Sequence, residues 1–292
     1  MNIGEKIKKL RTEKMMTQSE LAGTEITRNM LSRIENGAAQ PSLWTVRYIA
    51  SRLNVSPGFL LSEGSDEEIY LKYSEITNIK KAYMTEDYRI CRDMCHHTES
   101  HGDDEIMLIL AECNLEIAIE EFNSGRLRSS CEYLDEAIEV CAMTIYHTER
   151  ILARAGAYFK YMRAISATLS SNTVDEEELN IYPSMTDEFC RYIILFDKME
   201  SGMSNIESSS WELDRDKPYF AHLEARNNMR RGEFDLAHSA LHKILIDQEI
   251  IPEPMLYFVF SDFEICCKEI GDFKGAYESS NNKMTLIQNM LT

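Results

Sequence analysis

The chain has 292 residues, 44% of them hydrophobic, enough for more than one packed domain and too many for a chain disordered throughout. Lys and Arg number 31 against 49 Asp and Glu, a net charge of −18, and only 12 Gly and 6 Pro break the sequence, which favours long helices over turn-rich β architecture. Its longest apolar runs, such as residues 106–111 and 255–260, fall far short of the roughly 18 residues of a membrane span, and the opening residues lack the apolar stretch of a secretory signal; a cytoplasmic location is expected.

The charge is unevenly spread. Residues 1–61 hold nine basic and five acidic side chains, a net of +4, whereas the other 231 residues hold 22 basic and 44 acidic, a net of −22. A small basic head on an acidic body points to polyanion contact by the head alone, because phosphate binding is rewarded by local positive charge and the counterions it releases.

Five short helices are predicted in the head. The first covers about 3–14, with Ile3, Ile7 and Leu10 on one face. Thr17 with Glu20 forms a capping box that opens a second helix over 18–22, and Gly23-Thr24-Glu25 makes the turn after it. Thr27 caps a third helix that runs to Asn36 and stops at Gly37. Pro41-Ser42 starts a fourth, carrying Leu43, Val46, Ile49, Ala50 and Leu53, and Ser56-Pro57 starts a fifth, carrying Phe59, Leu60 and Leu61. At helical spacing Thr27, Leu31 and Ile34 of the third helix point one way, while Arg28, Asn29, Ser32 and Arg33 point roughly the other. The first face can dock on neighbouring helices. The second carries side chains suited to base edges: Arg for guanine, Asn for adenine, Ser for either.

These residues resemble the phage-repressor and Xre class of helix-turn-helix regulators. The resemblance covers 3–61 and rests on Gln18 opening the second helix, the ending Leu31-Ser32-Arg33-Ile34-Glu35-Asn36-Gly37, and the Pro41-Ser42 entry to the fourth. It implies a domain that binds double-stranded DNA sequence-specifically, with Arg28, Asn29, Ser32 and Arg33 at the major groove, Gln18 and Asn36 on phosphates, and Arg11 paired with Glu35 inside the domain. Two departures stand out: the turn between the second and third helices is one residue shorter than usual, and the loop Ala38-Ala39-Gln40 lacks the Lys or Arg that often grips the backbone.

The polar residues 62–66 read as a linker, which divides the chain into 1–64 and 65–292. Beyond it the pattern is helical. Leu127, Cys131, Leu134, Ile138 and Cys141 form one apolar stripe; Ile106, Leu110, Cys113, Ile117 and Ile119 form a broader one, as in a helix packed on both sides. A weak repeat accompanies them. Gly125, Gly232 and Gly271 are each followed by an apolar residue two positions on (Leu127, Phe234, Phe273) and a small one three further (Ser130, Ala237, Ala276). The segment from Thr85 through Tyr88 to Cys91 has the same shape without the Gly. Gly is expected to end one helix, the apolar residue to plug the pair, and the small residue to allow close approach.

This looks like a degenerate tetratricopeptide repeat, its period longer than the usual one and its closing proline missing. The fold expected is therefore all-α: a five-helix helix-turn-helix domain followed by a tetratricopeptide-like α-solenoid with a concave face. The two-part architecture resembles the Rgg-type and PlcR-type regulators, peptide-pheromone receptors of Gram-positive bacteria. That resemblance implies transcription regulation in quorum sensing, a homodimer on a palindromic or near-palindromic site, and a short signalling peptide in the repeat groove. Asn114, Arg150, Arg154, Arg226 and Asn227, on the first helices of their pairs, are the peptide-binding candidates by chemistry; for each the competing reading is a solvated helix surface, and Glu149 is an alternative partner for the two nearby Arg. The alternative function is a constitutive repressor whose helical domain only oligomerises or binds a protein partner.

Other constellations carry less. The eight Cys read as small hydrophobes rather than a disulfide framework. Cys91, Cys95, His96, His97 and His101 have metal-ligand types without a standard zinc spacing, and His238 and His242 lack the Glu of a metalloprotease helix and read as helix surface. Asp175-Glu176-Glu177-Glu178 reads as a solvated carboxylate run, and residues 204–217 as a polar loop anchored by Trp211. No phosphate-binding glycine loop or nucleophile elbow occurs. No catalytic residue, metal or cofactor is expected, and the chain is not read as an enzyme.

Overall fold

The computed structural model describes residues 2–63, 65–98, 102–166, 187–201, 213–246 and 251–291, and every regular element among them is an α-helix. The acidic run at 175–178, His101 and Trp211 lie outside the described residues. None of the described helices is long and apolar enough to cross a membrane. The chain forms two compact units, residues 1–81 with 98–100, and residues 82–97 with 101–292; the boundary falls inside a helix rather than in the polar stretch at 62–66.

The first unit comprises α1 (Ile3–Glu13), α2 (Gln18–Ala22), α3 (Arg28–Glu35), α4 (Leu43–Leu53), α5 (Pro57–Leu61) and the larger part of α6 (Ser65–Met84). Each of the first five helices starts where a polar side chain can take an orphan backbone N–H. Asn2 with Glu5 and Thr17 with Glu20 make reciprocal capping boxes, Thr27 and Ser42 accept from Met30 and Thr45, and Ser56 precedes Pro57. The core that results joins Ile7, Leu21, Leu31, Ile34, Val46, Ile49, Leu53 and Leu60. Two buried polar groups brace it. Lys6 donates from Nζ to the carbonyls of Phe59 and Ser62, at 3.1 and 2.5 Å, and so ties α1 to the end of α5. Glu35 accepts from Arg11 Nε at 2.7 Å and Arg11 Nη2 at 3.1 Å, the internal ion pair expected of the domain.

The second unit carries the end of α6, then α7 (Tyr88–His97), α8 (Asp104–Asn123), α9 (Leu127–Cys141), α10 (Glu149–Ile165), α11 (Glu188–Glu200), α12 (Pro218–Arg230), α13 (Phe234–Ile246), α14 (Glu253–Ile270) and α15 (Phe273–Leu291). The four repeat turns share one backbone. At Gly125, Gly232, Gly271 and Glu86 the chain takes φ of +74°, +75°, +82° and +61°. In each, that residue's N–H reaches the carbonyl three back and the next N–H reaches the one five back, the two bonds of a Schellman helix ending. Gly125 is held by crowding too, since a Cβ there would collide with the Glu253 carboxylate. Glu86 adopts the same conformation with a side chain, at a cost of about 1–2 kcal/mol for the left-handed backbone. Glu86→Gly is therefore expected to raise stability by about 0.5–1 kcal/mol after the added freedom of the unfolded chain is deducted, seen as a higher Tm in thermal denaturation.

The small residue of the repeat is buried in all four turns: Cys91, Ser130, Ala237 and Ala276. The apolar plug is not. Leu127 is fully buried, but Phe234 and Tyr88 are half-buried and Phe273 is 76% exposed. The pairs meet through the small side chain, which sets how closely two helices approach; a Phe at the first residue of the second helix finds a cover only where another helix lies over it. Successive helices from α7 to α15 pack as neighbours, and in addition α14 packs on α8 and α10, and α15 on α9. The last pair thus returns to the earlier ones. In an open solenoid each repeat would meet only its neighbours.

Candidate functional site

The candidate nucleic-acid interface is built on α3. Leu31 and Ile34 are buried in the first unit's core, and Glu35 beside them holds the ion pair. Arg28, Asn29 and Arg33 are exposed and Ser32 is half-buried. The division of faces holds for these residues, with one correction: Thr27 does not dock with Leu31 and Ile34 but stays exposed as the N-cap, its hydroxyl accepting from Met30 N–H at 3.1 Å. Arg33 also lies 3.5 Å from the Ala38 carbonyl across the Gly37 turn, a long contact that leaves the guanidinium able to swing outward. Asn36 is exposed as the C-cap. Gln18 is half-buried and donates from Nε2 to Glu35 Oε2 at 2.8 Å, so its amide is oriented by the ion pair at the start of α2. The side chain expected on phosphate is thereby coupled to the domain's internal charge.

The peptide candidates separate into different environments in the second unit. Arg150 is exposed and Asn227 half-buried. Arg154 is buried and bound at Nη1 to Glu116, 2.6 Å, and at Nη2 to Asp187, 3.1 Å, so it does not share a solvent face with Arg150. Nor does Glu149 take either Arg; it meets His147 at 3.2 Å. Asn114 is fully buried and accepts at Oδ1 from Arg92 Nε, 2.7 Å, while its Nδ2 has no partner among the described residues.

Arg226 stands at the end of a buried polar chain that sequence reading missed. Its Nε donates to Asp262 at 2.8 Å, one Nη donates to Glu200 at 2.7 Å, and the guanidinium lies 4.3 Å over the Phe196 ring; its Nη1 is buried without a partner among the described residues. Asp262 also meets His222 Nε2 at 3.0 Å, His222 Nδ1 meets the Tyr192 hydroxyl at 2.7 Å, and that hydroxyl meets Tyr161 at 3.1 Å. Burial pushes His222 below its ordinary range, against the pull of Asp262, so the ring is neutral at neutral pH. A neutral ring has one donor and one acceptor, and the carboxylate fixes which: Nε2–H donates to Asp262 and Nδ1 accepts from Tyr192. The chain runs through an aromatic cluster of Tyr161, Tyr192, Phe196 and Phe258 shared by α10, α11 and α14. A sequence signal existed, a single Asp inside the apolar run 255–263.

Among the Cys, all eight are buried and free. His96 pairs with Glu136 at 3.2 Å and His97 contacts the Asp93 carbonyl, so neither gathers with Cys91 and Cys95. His238, read as helix surface, is instead half-buried and stacked 4.5 Å from Phe263; His242 is exposed as expected.

Residues 7–60 match the helix-turn-helix family, and the N-terminal domain is a helix-turn-helix of the Xre type. The structure of Bacillus thuringiensis PlcR in complex with the peptide PapR7 and DNA is 13% identical, covers 99% of this chain and 96% of that one, and gives a TM-score of 0.23. ComR from Streptococcus suis is 13% identical over 98% of this chain and 96% of its own, with a TM-score of 0.20. No curated protein matches the chain significantly.

Proposed function

We propose that the chain is a cytoplasmic, sequence-specific DNA-binding transcriptional regulator that works as a homodimer and is controlled by a short peptide bound in its second unit. The carrying observation is α3: its apolar face is buried, and Arg28, Asn29 and Arg33 are exposed on the other, in a head of net +4 attached to a body of net −22. A helix of this width fits the major groove with its N-terminal residues toward the bases. Gln18 and Asn36 would bind phosphate, and Ser32 would read beside the two Arg. Two such heads would read two half-sites, and a ligand that favours one arrangement of the body shifts the spacing between them and so the affinity.

The peptide reading is supported by Asn114 Nδ2 and Arg226 Nη1, buried donors without partners that a peptide carbonyl or carboxylate would satisfy. Exposed Arg150 and half-buried Asn227 are further candidates on the same kind of helix; Arg154, with both partners in place, would act by holding α10 to α8 and α11. The aromatic cluster between α10 and α14 favours a second reading, a constitutive repressor whose body only oligomerises, because it fills space that a ligand would need.

A genome-wide footprint gives the operator. On it Arg28→Ala and Asn29→Ala are each expected to cost about 1–3 kcal/mol and to relax preference at one or two base pairs, whereas Gln18→Ala weakens all sequences alike. Equal losses on operator and random duplex for all three would remove the base-reading assignment. Titration of operator binding with peptides encoded in the native genome separates the two readings of the body: a shift in affinity supports sensing, and no shift with any peptide leaves the constitutive repressor.

A further inference from the structure

We propose that His238, Cys267 and Asp272 form a binding site for a zinc-type divalent transition-metal ion at the turn between α14 and α15. Their ligand atoms all lie within 4.8 Å of one another, although the residues are 29 and 5 positions apart in sequence. Tetrahedral coordination by nitrogen, sulfur and oxygen at zinc's bond lengths sets ligand atoms about 3.3–3.8 Å apart, so closure needs shifts of about an ångström. Imidazole, thiolate and carboxylate are a donor set suited to that ion, and a neutral His with an ionised Cys and Asp balances its double charge. On binding, the thiol proton leaves to solvent and the sulfur takes its place in the coordination shell.

The fold itself prepares the three groups. The Asp272 N–H donates to the Cys267 carbonyl at 2.8 Å, the bond that closes the Schellman turn, and so fixes these two residues together. Asp272 Oδ1 accepts from Gly275 N–H at 3.0 Å, which turns Oδ2 toward the site. Gly275 keeps the space open: a Cβ there would collide with Asp272 Oδ2 and crowd Cys267 Sγ. From the other side the His238 ring is oriented by its stack on Phe263, one turn before Cys267.

The equivalent turn between α8 and α9 holds a complementary pair at these positions. There the residues joined by the same backbone bond are Glu121 and Arg126, an acid and a base that pair directly. In the α14–α15 turn these positions hold Cys267 and Asp272, with no basic side chain in the place that Arg126 takes, and His238 adds a third ligand atom within 4.8 Å of the other two. One cation can engage all three lone pairs at once.

The test is independent of the DNA and peptide readings and uses the full chain stripped of metal. Titration with Co2+ is expected to give a sulfur-to-cobalt charge-transfer band that Zn2+ then displaces. Cys267→Ser should abolish the band, and Asp272→Asn and His238→Gln should each weaken Zn2+ binding at least about tenfold. Asp272→Asn keeps an acceptor for the Gly275 N–H, so the turn survives the loss of the ligand charge. Saturating Zn2+ should raise the Tm of the unaltered protein and leave that of Asp272→Asn nearly unchanged. A band that persists in Cys267→Ser, supplied by the seven other Cys, overturns the site, as does equal Zn2+ affinity in the unaltered protein and Asp272→Asn.

Discussion

Glu35→Ala is expected to destabilise the first unit by about 3–5 kcal/mol, enough to leave it largely unfolded near the growth temperature of a mesophile. Glu35 is buried and is the shared acceptor for three donors, Arg11 Nε, Arg11 Nη2 and Gln18 Nε2. Its hydrogen bonds raise Arg11 above the ordinary range of a guanidinium, and that ordinary range already lies so far above neutral pH that the cation stays charged after its partner is gone. Removing the carboxylate leaves that charge, 14% exposed at the side chain, with the Met16 carbonyl, 2.8 Å from Nη1, as its remaining partner among the described residues. The cost is mostly the stranded charge rather than the worth of the pair, so Arg11→Leu with Glu35→Leu should recover part of the stability. Urea unfolding of the full chain, with amide exchange read separately over α1–α4, measures both. A Glu35→Ala protein within about 1 kcal/mol of the original would show that the pair is not the brace described here.

The second large effect is expected at Asp262. Asp262→Ala should cost the second unit about 3–5 kcal/mol, because Arg226 then keeps its charge over the Phe196 ring with Glu200 as its remaining carboxylate, and His222 Nε2 loses its acceptor. Asp262→Asn should cost less, about 1–3 kcal/mol, since an amide oxygen can still accept one of the two N–H groups. The ordering is as informative as the size. Equal losses for Ala and Asn would mean that shape, not charge, decides the site. Denaturant midpoints of the two variants, with the slope checked for two-state behaviour, give the comparison.

The head was legible from sequence because its determinants are local. Caps at Thr17, Thr27, Ser42 and Ser56 mark helix starts within a few residues of where they occur, and the apolar face of α3 follows from spacing alone. Lys6 escaped notice: a Lys three residues from another Lys reads as surface, and only the return of α5 supplies its carbonyl partners. In the body the turns were visible through Gly125, Gly232 and Gly271, and Glu86 shows that the backbone pattern outlasts the residue that usually marks it. The peptide candidates were chosen by residue type, and type does not report partners. Arg150 and Arg154 sit one turn apart, yet Arg154 is enclosed by carboxylates from α8 and from the cap of α11, which no local pattern could reveal. His222, Asp262 and the grouping at Cys267 depend on helices brought together from distant parts of the chain, and sequence carried only the hint of polar residues in apolar runs.

The return of α14 and α15 onto α8, α10 and α9 changes how the body can come apart. A linear stack can fray inward from its end, each unit lost independently of those far away. Here the final helices also cover the middle ones, so peeling them off uncovers apolar surface twice, once beside α13 and once against the earlier helices. Melting of the array is tied into one cooperative event, and a shortened C-terminus would weaken residues more than a hundred positions upstream.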